Sequence, residues 1–418
     1  ICLPGIQTFS RSVEGKKYNL SILADSSVAA ERLLEQSDAL RNVAALTEKR
    51  RRSLARQGVH VSRPDALPSR VALIFPGQGS QYVGMGKQLG DELPEIRHTL
   101  LQASEHFGFD ICQLLFESSE DKLRDTRWQQ PAIFALEVAI AQVLLSCGLQ
   151  PVALAGHSLG QFAALCIAGV FSFADGCKIV NQRALCMEKA GRLSSDAGAM
   201  LAVHAARETV EPLLAAANGV FLLNSNSPLQ TVVGGDTAAT LALAETLSGQ
   251  GIRSTRLPVA MAFHSPMFQT VAAEFADFLQ TIPFLPPTIP VLSNHTGGIF
   301  PTEAAEIRRL LAEHLYSPVD WLQNVNALRA DYAVDLFVEA GPRETLGNMI
   351  RDSLQQADCV PTCLPSIEFS VLQHAIAQLF TAGCLPHMQS QQAIWPQPML
   401  KQPTESAAVQ ERAVVLST

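Results

Sequence analysis

The chain has 418 residues, 47% hydrophobic and 17% charged, with a formal net charge of 31 − 39 = −8. The apolar share excludes wholesale disorder, and the acidic balance argues against nucleic acid or anionic membranes as partners. At about 150 residues per domain the length allows two or three units, with core enough that no metal or disulfide staple is needed.

Residues 1–69 read as a first unit. YNLSILA (18–24) reads as a strand, and residues 26–56 as one helix ending in the basic cluster of Lys49, Arg50, Arg51 and Arg52. Cations suit the C-terminal end of a helix dipole. Residues 62–69, with Pro64 and Pro68, read as a connector.

A strand–helix alternation begins at Arg70. VALIF (71–75) is an apolar strand, residues 137–147 a helix, and PVALAG (151–156) a second apolar strand with a helix following at once from Gly160. Ser172 and Asp175 form a capping box opening a helix through about Ala190. Such alternation predicts a parallel sheet. From residue 197 the order changes to strand 199–204, helix 208–217, strands 220–224 and 230–234, helix 238–249 and strand 252–257. That is the βαββαβ ferredoxin-like unit. IPVLSN (289–294) and AVDLFVEA (333–340) then resume the first pattern.

The predicted class is α/β: an α/β-hydrolase-like core with a parallel sheet, an inserted ferredoxin-like small subdomain, and an α/β N-terminal linker domain. The last thirty residues are rich in Gln, Pro, Ser and Ala and read as flexible linker. No apolar run reaches about 18 residues, and the start is no signal peptide. Nine scattered Cys without a CxxC read as reduced thiols. The expectation is a cytoplasmic protein with no metal site, no cofactor and no membrane, cut at both ends from a longer polypeptide.

GHSLG (156–160) carries the chemistry. It lies between an apolar strand and a helix, the context of a nucleophile elbow. Its glycines permit a sharp turn that lifts Ser158, and the helix N-terminus points N–H groups at whatever Ser158 attacks. The Leu159 amide is then a candidate oxyanion donor. A serine nucleophile needs a base. His157 is next to Ser158 and reads as structural. His264, in AFHSPM, lies where the chain re-enters the core, 264 − 158 = 106 residues on. For its orienting partner, Glu339, Asp320 and a backbone carbonyl all stay open.

Seven motifs then occur in order: FPGQGSQYVGMG (75–86), WQQPAIFALEVAIAQVL (128–144), GHSLG, QRALCM (182–187), NSPLQTVVGG (226–235), AFHSPM (262–267) and VEAGP (338–342). Together they resemble the acyltransferase domains of type I polyketide synthases and the related malonyl-CoA:acyl carrier protein transacylases. The resemblance covers residues 70–352. Residues 1–69 resemble the ketosynthase-to-acyltransferase linker, and 367–385 the linker that follows the acyltransferase. The implied division is 1–69 linker domain, 70–196 and 259–358 large subdomain, 197–258 small subdomain, 359–388 trailing linker and 389–418 flexible linker.

The resemblance implies that Ser158 takes the acyl group from a coenzyme A thioester, with His264 as base. The His264 ring would be oriented by the backbone carbonyl at His314, where many relatives carry Gln. Gln78 and Leu159 would supply the oxyanion amides, and Gln130 and Met187 would line the pocket. On its own, Gln130 also reads as a polar residue near a helix start. Arg183, 25 residues after Ser158, matches the arginine that holds the extender carboxylate through two parallel hydrogen bonds. Phe263 fits a malonyl pocket, while Met261 departs from the matching signature, and Gln161 stands where Glu is common.

The implied activity loads malonyl onto the phosphopantetheine thiol of an acyl carrier protein. Other implied partners are the ketosynthase and remaining domains of a parent synthase, with the isolated piece a monomer. Alternatives are a methylmalonyl- or other acyl-selective transferase, a serine hydrolase or proofreading thioesterase, and a non-catalytic docking module. Lys49 to Arg52, and Arg253 with Arg256, are candidate basic contacts for an acidic carrier.

Overall fold

A computed structural model describes residues 4–13, 16–24, 43–65, 67–259, 261–355 and 357–386. Two compact units divide them near residue 66. The first unit holds an antiparallel sheet of β1 (Ile6–Val13), β2 (Lys16–Leu23) and β3 (Val59–Val61). Phe9, Tyr18, Leu20, Ile22, Val43, Leu54 and Val59 make its core. The single helix expected over 26–56 is corrected where it can be seen. Residues 25–42 lie outside the described residues, and beyond them a 3-10 turn (Val43–Ala45) precedes a separate helix, Glu48–Ala55. Thr47 interrupts it by taking an extended conformation and accepting the Arg50 N–H, as an N-cap does.

The second unit is built on a five-stranded parallel sheet in the order β10-β5-β4-β12-β13. Its strands are β4 (Val71–Phe75), β5 (Ala153–Gly156), β10 (Val291–Leu292), β12 (Leu336–Pro342) and β13 (Asp358–Cys363). Every residue of β4, β5 and β12 is buried, which is why these strands read as apolar runs without alternation. β13 is an edge strand paired with β12, so the boundary drawn at 358/359 cuts through the main sheet. The helix Glu368–Thr381 follows it.

A second sheet has the order β11-β7-β8-β6-β9. It contains β6 (Ala199–Val203), β7 (Val220–Ser227), β8 (Gln230–Gly235) and β9 (Ser254–Arg256), all antiparallel, in the ferredoxin-like arrangement. A fifth strand, β11 (Val319–Asp320), joins β7 in parallel. It comes from outside residues 197–258 and ties the inserted sheet back to the core.

The core helix Thr126–Ser146 begins eleven residues earlier than expected. Pro131 reads as a helix breaker, yet it sits in the second turn, and Asp125 caps the start by accepting the Arg127 N–H. This helix is long and apolar enough to cross a membrane, but 83% of its apolar window is buried inside the protein. None of the eight described cysteines is in a disulfide; Cys2 lies outside the described residues.

Candidate active site

The site's loops leave the C-terminal ends of strands in the parallel sheet, where open α/β sheets place their ligands. β4 delivers Gln78, β5 delivers His157, Ser158 and Leu159, and β10 delivers Asn294. Phe75 and Gly156 are register partners, so the first two loops start side by side.

Ser158 has φ +52, a left-handed conformation that costs a non-glycine residue about 1–2 kcal/mol. The flanking glycines are required by close approach. A Cβ on Gly156 would lie 2.0 Å from the Gly160 carbonyl carbon, and one on Gly160 would lie 2.1 Å from the Phe75 oxygen. The turn ends directly in the helix Gly160–Ile167.

Ser158 Oγ lies 2.7 Å from His264 Nε2, and His264 Nδ1 lies 3.0 Å from the His314 carbonyl oxygen. A carbonyl can only accept, so Nδ1 carries the proton and Nε2 presents its lone pair to the serine hydroxyl. Burial first, and Arg183 second, lower His264 to about 3. The imidazole is therefore neutral at physiological pH and free to take a proton. Neither candidate carboxylate serves it. Glu339 accepts the N–H groups of Thr345, Leu346 and Gly347, and Asp320 accepts that of Gln323. His157 is held by Asn226 (2.8 Å) and meets Trp321 edge-on.

Arg183 is fully buried on the helix Phe173–Leu193. Its Nη1 donates to Gln130 Oε1 at 2.6 Å, and its Nη2 lies 3.4 Å from Ser158 Oγ. The guanidinium also lies over the Phe162 ring, 5.3 Å from its centroid. Nε has no hydrogen-bond partner among the described residues, and no carboxylate there pairs with it. Burial alone pulls it down to about 9.

Gln130 donates to Thr126 Oγ1 (2.8 Å) and to Met187 Sδ (3.3 Å). The Gln78 side chain donates to Thr126 Oγ1 (3.1 Å) and Gln129 Oε1 (2.5 Å). A hydrogen-bonded chain thus runs from Gln78 on the β4 loop through the Thr126 hydroxyl and the Gln130 amide of the core helix to Arg183. Among the described residues, neither the Gln78 nor the Leu159 N–H donates to another backbone carbonyl outside helices and strands. Phe263 is buried and stacks on Phe268, with centroids 6.0 Å apart. Met261 packs on the arginine helix, where a Cβ on Gly191 would lie 2.4 Å from its sulfur. The His314 ring is buried 5.1 Å from that of His264, and neither ring nitrogen has a partner among the described residues.

Sequence reasoning missed Asn294, Asn324 and Thr126. Asn294 closes the run IPVLSN, two residues past β10, and a polar residue just beyond the C-terminal end of a buried strand was the available signal. Gln161, noted only as a departure, accepts the Asn294 backbone N–H at 2.8 Å.

Residues 72–375 match the acyl transferase domain family. The chain is 32% identical over 290 residues to the malonyl CoA-acyl carrier protein transacylase of Bacillus subtilis, covering 68% of this chain and 90% of that protein. It is 36% identical over 305 residues to the spectinabilin polyketide synthase system protein NorB of Streptomyces orinoci, covering 71% of this chain but 14% of that much longer protein. Among solved structures, the acyltransferase domain from the second module of the salinomycin polyketide synthase superposes with a TM-score of 0.76 at 30% identity, covering 88% of this chain and 83% of that one. The serine–histidine pair on a parallel α/β sheet and the family match over most of its length agree: this chain belongs to the acyl transferase domain family and is an acyltransferase.

Proposed function

We propose that the chain takes malonyl from malonyl-CoA onto Ser158 and passes it to the phosphopantetheine thiol of an acyl carrier protein. The observation that carries this reading is Arg183: a buried guanidinium, with no carboxylate partner among the described residues, 3.4 Å from the nucleophile. A buried unpaired cation is costly. The distal carboxylate of a malonyl group would pair it and hold the thioester against Ser158. A neutral lipid would not. The likeness to the Bacillus subtilis transacylase supports the same donor and acceptor.

In the first half-reaction His264 Nε2 takes the Ser158 proton as Oγ attacks the thioester carbonyl. The Gln78 and Leu159 N–H groups serve the developing oxyanion. The C–S bond breaks, and the proton passes from His264 to the coenzyme A sulfur. In the second half-reaction the carrier thiol gives its proton to His264 and attacks the malonyl ester, and Ser158 leaves with that proton. Phe263, stacked on Phe268 one residue before the base, leaves little room for an α-methyl group and favours malonyl over methylmalonyl.

We infer also that the chain works within a multidomain synthase, with a ketosynthase and a carrier among its neighbours. The similarity to a synthase acyltransferase domain over 88% of the chain supports this. Intact-protein mass after incubation with malonyl-CoA tests the core reading. Wild type gains one malonyl group and Ser158→Ala gains none. An unmodified wild type, or an equal adduct on Ser158→Ala, refutes it. Release of free malonate faster than transfer to a carrier would make the protein a hydrolase instead.

A further inference from the structure

Ser158 combines two demands that do not follow from the glycines beside it. Its backbone must stay left-handed, and its N–H, buried at the floor of the site, needs an acceptor. Non-glycine residues persist in such conformations only where their surroundings over-determine them.

Asn294 meets both demands. Its Oδ1 accepts the Ser158 N–H at 2.7 Å, and its Nδ2 donates to the Gly156 carbonyl at 2.7 Å. It therefore grips the chain on both sides of His157, directly before the strained position. The second Nδ2 hydrogen goes to Asn324 Oδ1 at 2.8 Å, and Asn324 in turn donates to the Ser293 carbonyl at 3.0 Å. The Asn294 backbone is tied too, its N–H to Gln161 Oε1 and its carbonyl to the Asp320 N–H. Asn294 and Asn324 are 0% exposed and Gln161 is 1% exposed. Because Gly156 and Asn324 offer only acceptors here, the amide can face one way: nitrogen toward them, oxygen toward Ser158.

We propose that Asn294 is the positioning residue of the nucleophile elbow, holding the Ser158 amide and the Gly156 carbonyl so that the serine hydroxyl stays aimed at His264. One consequence follows for the oxyanion. With the Ser158 N–H turned into Asn294, the elbow's remaining amide for the substrate is that of Leu159. This inference rests on Ser158 being the nucleophile, and it is independent of the acyl group that Ser158 carries.

The test uses a fluorophosphonate, which labels a serine activated by its base and oxyanion donors and needs no malonyl group. Labelling rates at Ser158 are compared with thermal midpoints for wild type, Asn294→Ala, Asn294→Asp and Asn324→Ala. Asn294→Ala should lower the rate about 100-fold, the scale of an ångström-sized misplacement. Asn294→Asp keeps an acceptor for the Ser158 N–H and should recover about 10-fold of that loss. Asn324→Ala breaks the same buried network one bond farther away. It should lose stability while slowing labelling far less than Asn294→Ala does. If Asn294→Ala does not fold, Asn294→Leu, with the same branching and number of side-chain heavy atoms, takes its place with the same expected loss. Rates that simply follow the thermal midpoints, or an Asn294→Asp no faster than Asn294→Ala, would overturn the proposal. A wild type that labels normally but takes no malonyl from malonyl-CoA would refute the functional reading and leave this one standing.

Discussion

The floor and the wall of the site are built on opposite plans. At the floor, Asn294, Asn324 and Gln161 use their amides on one another and on the elbow. On the wall, Arg183 is equally buried but keeps an unpartnered Nε and has no carboxylate partner among the described residues. A satisfied buried network rigidifies what it holds. An unsatisfied buried cation waits for a counter-ion. Under the proposed function the contrast separates two tasks: the floor would fix the nucleophile, and the wall would select the acyl group.

The sharpest way to break this division is Arg183→Ala. Truncating one partner of a buried charge pair costs about 2–5 kcal/mol. Malonyl transfer should therefore fall at least about 30-fold, while acetyl-CoA, which has no distal carboxylate, should lose little. Competition between the two thioesters, read as the mass of the Ser158 adduct, measures it. Unchanged selectivity would remove the wall's assigned role. The same variant has a signature in pH. Arg183 is the second cause, after burial, of the depressed His264 value. Removing that cation raises the imidazole's affinity for a proton. The acid limb of the labelling rate should then move to higher pH, and a limb that stays in place would show that Arg183 does not act on the base.

Much of the floor's chemistry was legible because it is local. GHSLG carries its strand, its turn and its helix start within a dozen residues, and Gly156 answers a steric contact inside that stretch, while Gly160 answers one with Phe75 on β4. His264 and the His314 carbonyl meet 50 residues apart, and the family resemblance, not spacing, brought them together. What stayed hidden depends on distant pairing. β11 is two residues long, too short for any periodicity to register, whereas β10 falls inside the strand read at 289–294. β13 becomes the sheet edge only by pairing with β12. Asn294 carries only a positional hint in the sequence, and its role shows once β10 places it beneath Ser158. The start of the core helix was concealed by Pro131, a residue that ordinarily breaks a helix interior.

A smaller effect sharpens the wall's shape. Phe263→Ser removes a ring buried against Phe268. One methyl group in a pocket is worth about 1–3 kcal/mol, so the malonyl to methylmalonyl ratio should fall about 10-fold, with the total acylation rate nearly kept. A constant ratio would place the gate elsewhere, Met261 on Gly191 being the next candidate.

The smallest effect concerns a group that is unsatisfied without belonging to the wall. Glu137 is fully buried on the core helix, and neither carboxyl oxygen has a partner among the described residues. Burial first, and then Glu339, raise it well above the usual carboxylate value. The sign follows. In the unfolded chain this carboxyl ionises near pH 4.3, whereas the folded protein keeps the proton. As pH rises past that value, the unfolded state gains an ionisation that the folded state lacks, and stability falls. Glu137→Gln keeps the shape and cannot ionise. Its thermal midpoint, relative to wild type, should therefore climb steadily from about pH 5 to pH 8, while Ser158 labelling stays unchanged. If Arg183 differs from Glu137 in waiting for a substrate, malonyl-CoA should protect Ser158 from labelling equally in the wild type and in Glu137→Gln. A midpoint difference that is flat across this range would mean that Glu137 is paired in the folded protein after all.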